Sequence, residues 1–384
     1  MIGISKLYFG TIEESDKLRY AKGVHKRPIV VWNCTPACNL KCSHCYAATS
    51  GKEKVLSTGQ ALAVIDNLAE FNVPVLLFSG GEPFSRPDIR KLAEYAKVKG
   101  LRVTFSTNGT LIDEDTADWI RDLGVSYVGI SIDGTQSVHD EFRCSPGAYE
   151  KSLKAIRLLR ERNVKVGLRV TMTRFNVQAI SSIFSLMREE RVPRICLYHL
   201  VYTGRGREIA ATDLSREEAR AALDTILEET KKCFDGGFPV EVLTVDNHCD
   251  GIALYLKMAE EKHPNAEKAL ELLTLNGGNS SGQGIACISW DGTVYPDQFW
   301  RDKPVGNVLE KPFSEIWGSP EPGSLLDLMR NRKPLLKGRC AKCKWIDLCG
   351  GNFRARGEAV TGDLWGEDPT CYLTDCEIGI GDKA

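Results

Sequence analysis

The chain has 384 residues, of which 42% are hydrophobic, with 50 Lys and Arg set against 51 Asp and Glu. That is enough apolar material for two or three packed units, and the near-zero net charge argues against bulk electrostatic capture of nucleic acid. No apolar run approaches the length of a membrane span, the first ten residues lack a secretory core, and fourteen cysteines in a chain expected to be cytoplasmic point to metal or redox chemistry rather than disulfides.

An N-terminal extension over 1–27 precedes the first apolar run, at 29–32. Further runs follow at 73–78, 102–105, 127–132, 164–171 and 194–200, separated by amphipathic stretches such as 58–71 and 113–123. Apolar residues at helical spacing between short apolar runs predict alternating strands and helices, hence a parallel sheet with right-handed crossovers. Six such units predict an α/β fold, a partial (β/α)6 TIM-type barrel over 28–205, with its active face at the C-terminal ends of the strands. A mainly helical linker is expected over 206–275 and a C-terminal domain over 276–384.

The first strand runs into Cys38-x3-Cys42-x2-Cys45. Three thiolates on one loop hold three irons of a [4Fe-4S] cube and leave the fourth open, whereas electron-transfer clusters use four cysteines. Zinc would want four Cys or His ligands; His44 is the one nearby candidate and is read as an ordinary loop residue, because motifs follow at the ends of the later strands. The second strand ends in Ser79-Gly80-Gly81-Glu82-Pro83, where glycines allow backbone carbonyls close to a ligand ammonium. The third ends in Ser106-Thr107-Asn108-Gly109 and the fourth in Ser131-Ile132-Asp133-Gly134, with Arg143 following. Their hydroxyl, amide and carboxyl groups suit a ribose or an amino acid. Each alone reads as an ordinary turn; together, in strand order after the triplet, they are distinctive.

Near the C-terminus stand Cys340-x2-Cys343-x5-Cys349 and then Cys371, with Cys376 as an alternative to Cys371. Four thiolates enclose either one cluster or one zinc ion; beside an iron–sulfur loop the cluster is favoured. Cys34, Cys144, Cys196 and Cys287 are read as core thiols, Cys233 and Cys249 as passive ones.

The triplet and the four strand-end motifs resemble the radical S-adenosylmethionine (SAM) superfamily. The resemblance implies that the open iron binds SAM, that Gly80, Gly81, Glu82 and Pro83 hold its amino group, and that Tyr46, Ser106, Asn108, Ser131 and Asp133 line the rest, with Arg143 at the methionine carboxylate. The C-terminal set resembles the SPASM extension. Here Asp297 replaces the cysteine of G-x4-C, Phe353 replaces another, and Ser281-Gly282-Gln283-Gly284 replaces a third. One auxiliary cluster is therefore missing as a set, and two [4Fe-4S] clusters plus SAM are implied.

The segments 291–300, 349–356 and 362–365, with 1–8 and 198–206, resemble the tetrapyrrole-tailoring branch of that superfamily. This implies an iron tetrapyrrole substrate and the removal of two acetate side chains from 12,18-didecarboxysiroheme, giving Fe-coproporphyrin III. The alternatives are conversion of propionates to oxo groups for haem d1, coproheme decarboxylation, and peptide modification. The last would need a peptide-binding unit, and only about twenty-five residues precede the first strand. A plain electron carrier would have no use for an open iron.

Such a substrate needs cations at its carboxylates, for which Arg205, Arg207, Arg354 and Arg356 are candidates. Phe299, Trp300, Trp345 and Trp365 are candidate walls, and His199 or His248 a candidate ligand to the substrate iron. A flavodoxin or ferredoxin-type reductant is expected as partner, and neither nucleic acid nor membrane.

Overall fold

Runs of Val, Ile, Leu and Phe that can be buried on both faces form the central strands. The computed structural model describes residues 1–11, 16, 20, 27–49 and 53–380, so residues 12–15, 17–19 and 21–26 of the expected extension over 1–27 lie outside the described residues. The strands are β1 (Ile2–Gly3), β2 (Ile29–Asn33), β3 (Leu76–Ser79), β4 (Val103–Thr107), β5 (Tyr127–Ser131), β6 (Val166–Met172), β7 (Arg194–His199), β8 (Glu241–Val245), β9 (Ile285–Ile288), β10 (Thr293–Tyr295) and β11 (Gly306–Asn307). Among the described residues they form one sheet, ordered β1-β8-β7-β6-β5-β4-β3-β2-β9-β10-β11.

From β2 to β8 every neighbour is parallel and consecutive in sequence. Helices make the crossovers, among them Thr58–Glu70, Ile89–Val98, Glu114–Asp122, Ala148–Glu161, Ile180–Glu189 and Arg216–Asp235. Ile89–Val98 shows why they pack: Ile89, Leu92, Ala93 and Ala96 share one buried stripe. Thr58–Glu70 starts on a capping box in which Ser57 and Gln60 satisfy each other's end of the helix, a local signal strong enough to set where the helix begins.

This is the expected partial barrel with one parallel strand more. β8 lies within the segment expected to be a helical linker and pairs with β7 from Arg194↔Glu241 to Tyr198↔Val245. The stretch that follows Pro239 thus holds a strand between helices where only a helical linker was expected. The rest of 206–275 is helical, at Arg216–Asp235, Cys249–Glu260 and Ala266–Asn276.

Both edges of the parallel sheet are covered. β1 pairs antiparallel with β8, and β9 pairs parallel with β2, from Ile29↔Ile285 to Trp32↔Ile288. β10 and β11 then extend the sheet antiparallel. The C-terminal extension is thus hydrogen-bonded to the very strand that leads into the cysteine triplet.

Candidate active site and cluster-binding loops

β2 ends at Asn33, and the chain then crosses the C-terminal ends of the strands. Cys42 is buried there, Cys45 half-buried and Cys38 exposed. The loop is pinned from several sides. The Ser43 N–H and hydroxyl both donate to the Phe142 carbonyl at 3.1 Å. Arg205 donates from Nε to the Cys42 carbonyl at 2.7 Å and from its backbone N–H to the Cys45 carbonyl at 3.0 Å. The sulfurs also receive donors: Leu40 N–H reaches Cys38 Sγ at 3.4 Å and Arg143 Nη1 reaches Cys42 Sγ at 3.6 Å.

Burial above all, with the neighbouring Cys42 thiol adding to it, raises the pKa of the half-buried Cys45 thiol. Thiols gathered in this way give up their protons to a bound cation, so the donor set fits a metal cluster. His44 stacks on Phe142 at 4.2 Å between ring centres, and burial pulls its pKa down to about 3, which makes it a neutral space-filling ring.

The strand-end motifs gather around this loop. Gly81 N–H donates to the Thr35 carbonyl and Glu82 N–H to the Ala37 carbonyl, both at 2.8 Å. A Cβ on Gly81 would stand 2.2 Å from the Ala37 oxygen, and one on Gly80, at φ +131°, would stand 2.5 Å from the Thr35 oxygen. The backbone of the cysteine loop thus fills the space beside both glycines, and a side chain at either position would collide with it.

Glu82 is fully buried. Its Oε1 accepts from Thr107 Oγ1 at 2.7 Å and from Phe84 N–H at 3.2 Å, while Oε2 accepts from Asn108 N–H at 2.8 Å. Burial lifts its pKa to about 7 despite these donors. The side chain therefore ties the turn that continues through Pro83 to the end of β4, where Ser106 also lies. Asn108 passes the tie on, donating from Nδ2 to Asn39 Oδ1 at 3.0 Å within the cysteine loop.

Ser131 Oγ donates to the Thr107 carbonyl at 3.4 Å, and Tyr46 OH donates to Asn33 Oδ1 at 3.0 Å. Asp133, fully buried, accepts Arg143 Nε at 2.6 Å and Thr171 N–H at 3.1 Å. Arg143 thereby bridges a carboxylate and a cluster-loop sulfur.

The second set of thiols, Cys340, Cys343, Cys349 and Cys371, lines one small hollow. Backbone N–H groups point at two of the sulfurs, Trp345 to Cys343 at 3.4 Å and Asn352 to Cys349 at 3.1 Å. Among the described residues no three Cys, His, Asp or Glu side chains converge on a single-ion site. Thiols facing a shared hollow rather than one point suit a multi-iron cluster better than tetrahedral zinc.

Cys376 is exposed and does not line the hollow, which favours Cys371 as the fourth thiol. Cys249, expected to be passive, lines the hollow as well; its hydrogen bond is the main reason the Cys371 thiol falls to about 7. Its distance in sequence from the other four left no spacing signal. Where the second auxiliary cluster would need ligands, buried Ser281 donates to buried Asp297, and Phe353 is buried. Of the cysteines read as core, Cys34, Cys196 and Cys287 are buried, but Cys144 is exposed.

Several candidates for the substrate are placed elsewhere. Arg356 is fully buried; Nε and Nη2 grip Asp368 at 2.9 and 2.8 Å, while Nη1 and Nη2 donate to the Leu200 and Asp246 carbonyls. Arg354 is also buried and donates to the Gly351 and Gly366 carbonyls. Arg354 ties the extension to itself and Arg356 ties it to the ends of the barrel strands, so both are engaged away from a substrate carboxylate. Trp345 packs edge-on against Tyr255, with its Nε1 donating to the Glu377 carbonyl, away from the cysteine triplet. Arg207 is exposed, and Arg205 is engaged with the cysteine loop.

Phe299 does reach the site, 5.1 Å edge-on from Tyr46. Trp300 is buried and Trp365 half-buried in the adjoining cluster. His199 Nε2 is held by Asp250 at 2.9 Å, whereas both ring nitrogens of buried His248 lack a partner. Sequence reasoning missed Arg169 and Arg301. For Arg169 there was a signal: a charge in the middle of a central parallel strand breaks the apolar pattern such strands need.

A parallel partial barrel with a three-cysteine loop at its open face, joined to a four-cysteine hollow, defines a radical SAM protein with an iron–sulfur extension. The Radical SAM superfamily matches residues 32–187, and an iron–sulfur cluster-binding domain, SPASM, matches residues 280–344. The chain is 52% identical to Fe-coproporphyrin III synthase of Methanosarcina barkeri, over 99% of both chains. It is 40% identical to pre-heme d1 synthase of Dinoroseobacter shibae, over 94% of this chain and 90% of that one.

Among solved structures, anSMEcpe with bound AdoMet aligns at a TM-score of 0.68 with 20% identity, over 90% of this chain and 94% of that one. Streptococcus suis SuiB with its precursor peptide aligns at 0.72 with 16% identity, over 91% and 77%; at these identities the likeness is one of fold. The chain belongs to the radical SAM family with a SPASM extension, in the branch that includes Fe-coproporphyrin III synthase and pre-heme d1 synthase. The two matched domains make SAM and iron–sulfur clusters its cofactors.

Proposed function

We propose that this chain is the radical SAM enzyme that removes two acetate side chains from 12,18-didecarboxysiroheme to give Fe-coproporphyrin III in haem b synthesis. The observation that carries the reading is 52% identity along 99% of both chains with Fe-coproporphyrin III synthase, against 40% with pre-heme d1 synthase. When bound, the cluster supplies the electron that splits SAM and yields the 5′-deoxyadenosyl radical.

The protein's own part is positioning. Cys38, Cys42 and Cys45 hold the SAM-binding cluster; Cys340, Cys343, Cys349 and Cys371 hold the auxiliary one. The 79–83 turn, Tyr46, Ser106, Asn108, Ser131, Asp133 and Arg143 surround SAM, and Phe299 shields the reacting edge from water. Of the two histidines, His248 is the better ligand for the substrate iron, because burial keeps its ring neutral and its nitrogens are unengaged, while Asp250 occupies His199. The reductant is a cytoplasmic flavodoxin or ferredoxin.

The test is anaerobic turnover of 12,18-didecarboxysiroheme with SAM and dithionite, followed by mass spectrometry. Stepwise loss of two acetate groups is the expected result. Oxo groups in place of propionates would assign the chain to haem d1 synthesis instead, and SAM cleavage with every tetrapyrrole unchanged would overturn both.

A further inference from the structure

With Arg354 and Arg356 engaged elsewhere, the carboxylates of the substrate lack the partners that the sequence offered. The barrel holds another arginine. Arg169 sits on β6 between Leu168 and Val170, whose side chains are buried on the opposite face. Its neighbours across the sheet are Ser131 on β5 and Cys196 on β7, level with the fourth strand-end motif. The side chain leans across Gly129, where a Cβ would stand 2.7 Å from Arg169 Cδ. The guanidinium lies 4.8 Å from the centre of the Tyr198 ring.

Arg301 stands in the extension two residues after Phe299, whose ring packs 5.1 Å edge-on against Tyr46, the residue after Cys45. Its guanidinium lies 4.4 Å from the Trp290 ring centre, Nη2 donates to Ser289 Oγ at 3.3 Å, and Nη1 is buried with no partner. Among the described residues neither arginine has a carboxylate partner. Both arginines are half-buried, and a planar fork braced on an aromatic ring and lacking a counter-charge is shaped for bidentate contact with a carboxylate.

We propose that Arg169, together with Arg301, clamps rim carboxylates of a planar polycarboxylate substrate and so decides which edge of the disc meets the cysteine loop. The clamp rests on the tetrapyrrole reading above and adds to it the residues that give the disc its orientation. It also explains the glycine at 129: any side chain there would displace the arginine.

The test uses reconstituted holoenzyme and absorbance titration with two probes, iron coproporphyrin III and haem b, which has fewer rim carboxylates. Arg169→Gln is expected to weaken binding of iron coproporphyrin III by about 10- to 100-fold, the range for a lost hydrogen bond to a charged group. It should weaken haem b less and leave the SAM-induced change in the cluster EPR spectrum intact. Arg169→Lys, which keeps the charge but loses the fork, should fall between, and Arg301→Gln should show the same preference for the probe richer in carboxylates. Unchanged affinities in R169Q with the EPR response intact would overturn the clamp and leave the enzyme's assignment standing. If R169Q loses its clusters, unchanged affinities in R301Q overturn the clamp instead. Wild-type protein that binds neither tetrapyrrole overturns the functional reading and the clamp together.

Discussion

At Gly81 there is no room for one more carbon atom. The Ala37 oxygen stands 2.2 Å from where a Cβ would be, and backbone cannot swing aside as a flexible side chain can. Gly81→Val should therefore push the cysteine loop out of place and cost the first cluster, not merely SAM affinity. Iron and sulfide analysis after anaerobic reconstitution should fall from about eight irons per chain to about four; full cluster content with impaired SAM binding alone would count against this.

Asp246 offers a second test. It has a left-handed backbone at φ 65° and an unpartnered Oδ2. Burial first, and Asp297 second, push its carboxyl from 3.8 up to about 7, against the opposing charges of the N-terminal amine, Arg356 and His199. A carboxyl whose pKa is raised on folding stabilises the fold fully below about pH 4 and loses that contribution as pH climbs through about 7. Asp246→Asn removes the titration, and asparagine tolerates the left-handed backbone. Its melting temperature should gain on wild type between about pH 5 and 7 and level off above, with a total worth about 2–4 kcal/mol. Parallel curves across that range would rule the explanation out.

Among elements, the strand ends were the most legible, because their chemistry is compressed into contiguous turns: Cys38 to Cys45, Gly80 to Pro83, Asn108 and Asp133 all fall where a parallel sheet puts its working face. Features that depend on partners far away in sequence were not. β8 pairs with β7 in a segment expected to be a helical linker, and Cys249 joins the hollow only because the helix Cys249–Glu260 begins there. Arg354 and Arg356 have the residue type for carboxylate binding, yet the sequence gives no sign that Asp368 and the Gly351 and Gly366 carbonyls consume them. Arg169 was readable by the opposite logic, as a charge that its own strand could not explain. The terminal cysteines allow a clean test at this scale. Cys371→Ser should lower the iron content and disturb the auxiliary cluster's spectrum, while exposed Cys376→Ser should match wild type; the reverse result would reassign the fourth ligand.

On the scale of the whole molecule, the sheet is closed at its edges by the two ends of the chain. β1 covers β8 and β9 covers β2, and an uncovered parallel edge is a template for aggregation. A chain ending at 275 keeps every barrel strand but exposes β2, so it should elute as soluble aggregate or precipitate; a monodisperse fragment on size exclusion would contradict this.

The same pairing imposes a timetable on biosynthesis. The strand that feeds the cysteine triplet is made early, yet its second neighbour, 285–288, leaves the ribosome only after the whole barrel has been made. Through most of translation the strand that leads into the cysteine triplet therefore has an open edge. Until residues 285–288 arrive, that edge is free to pair with another chain, so any chaperone that shields β2 has to act before the last hundred or so residues complete the sheet.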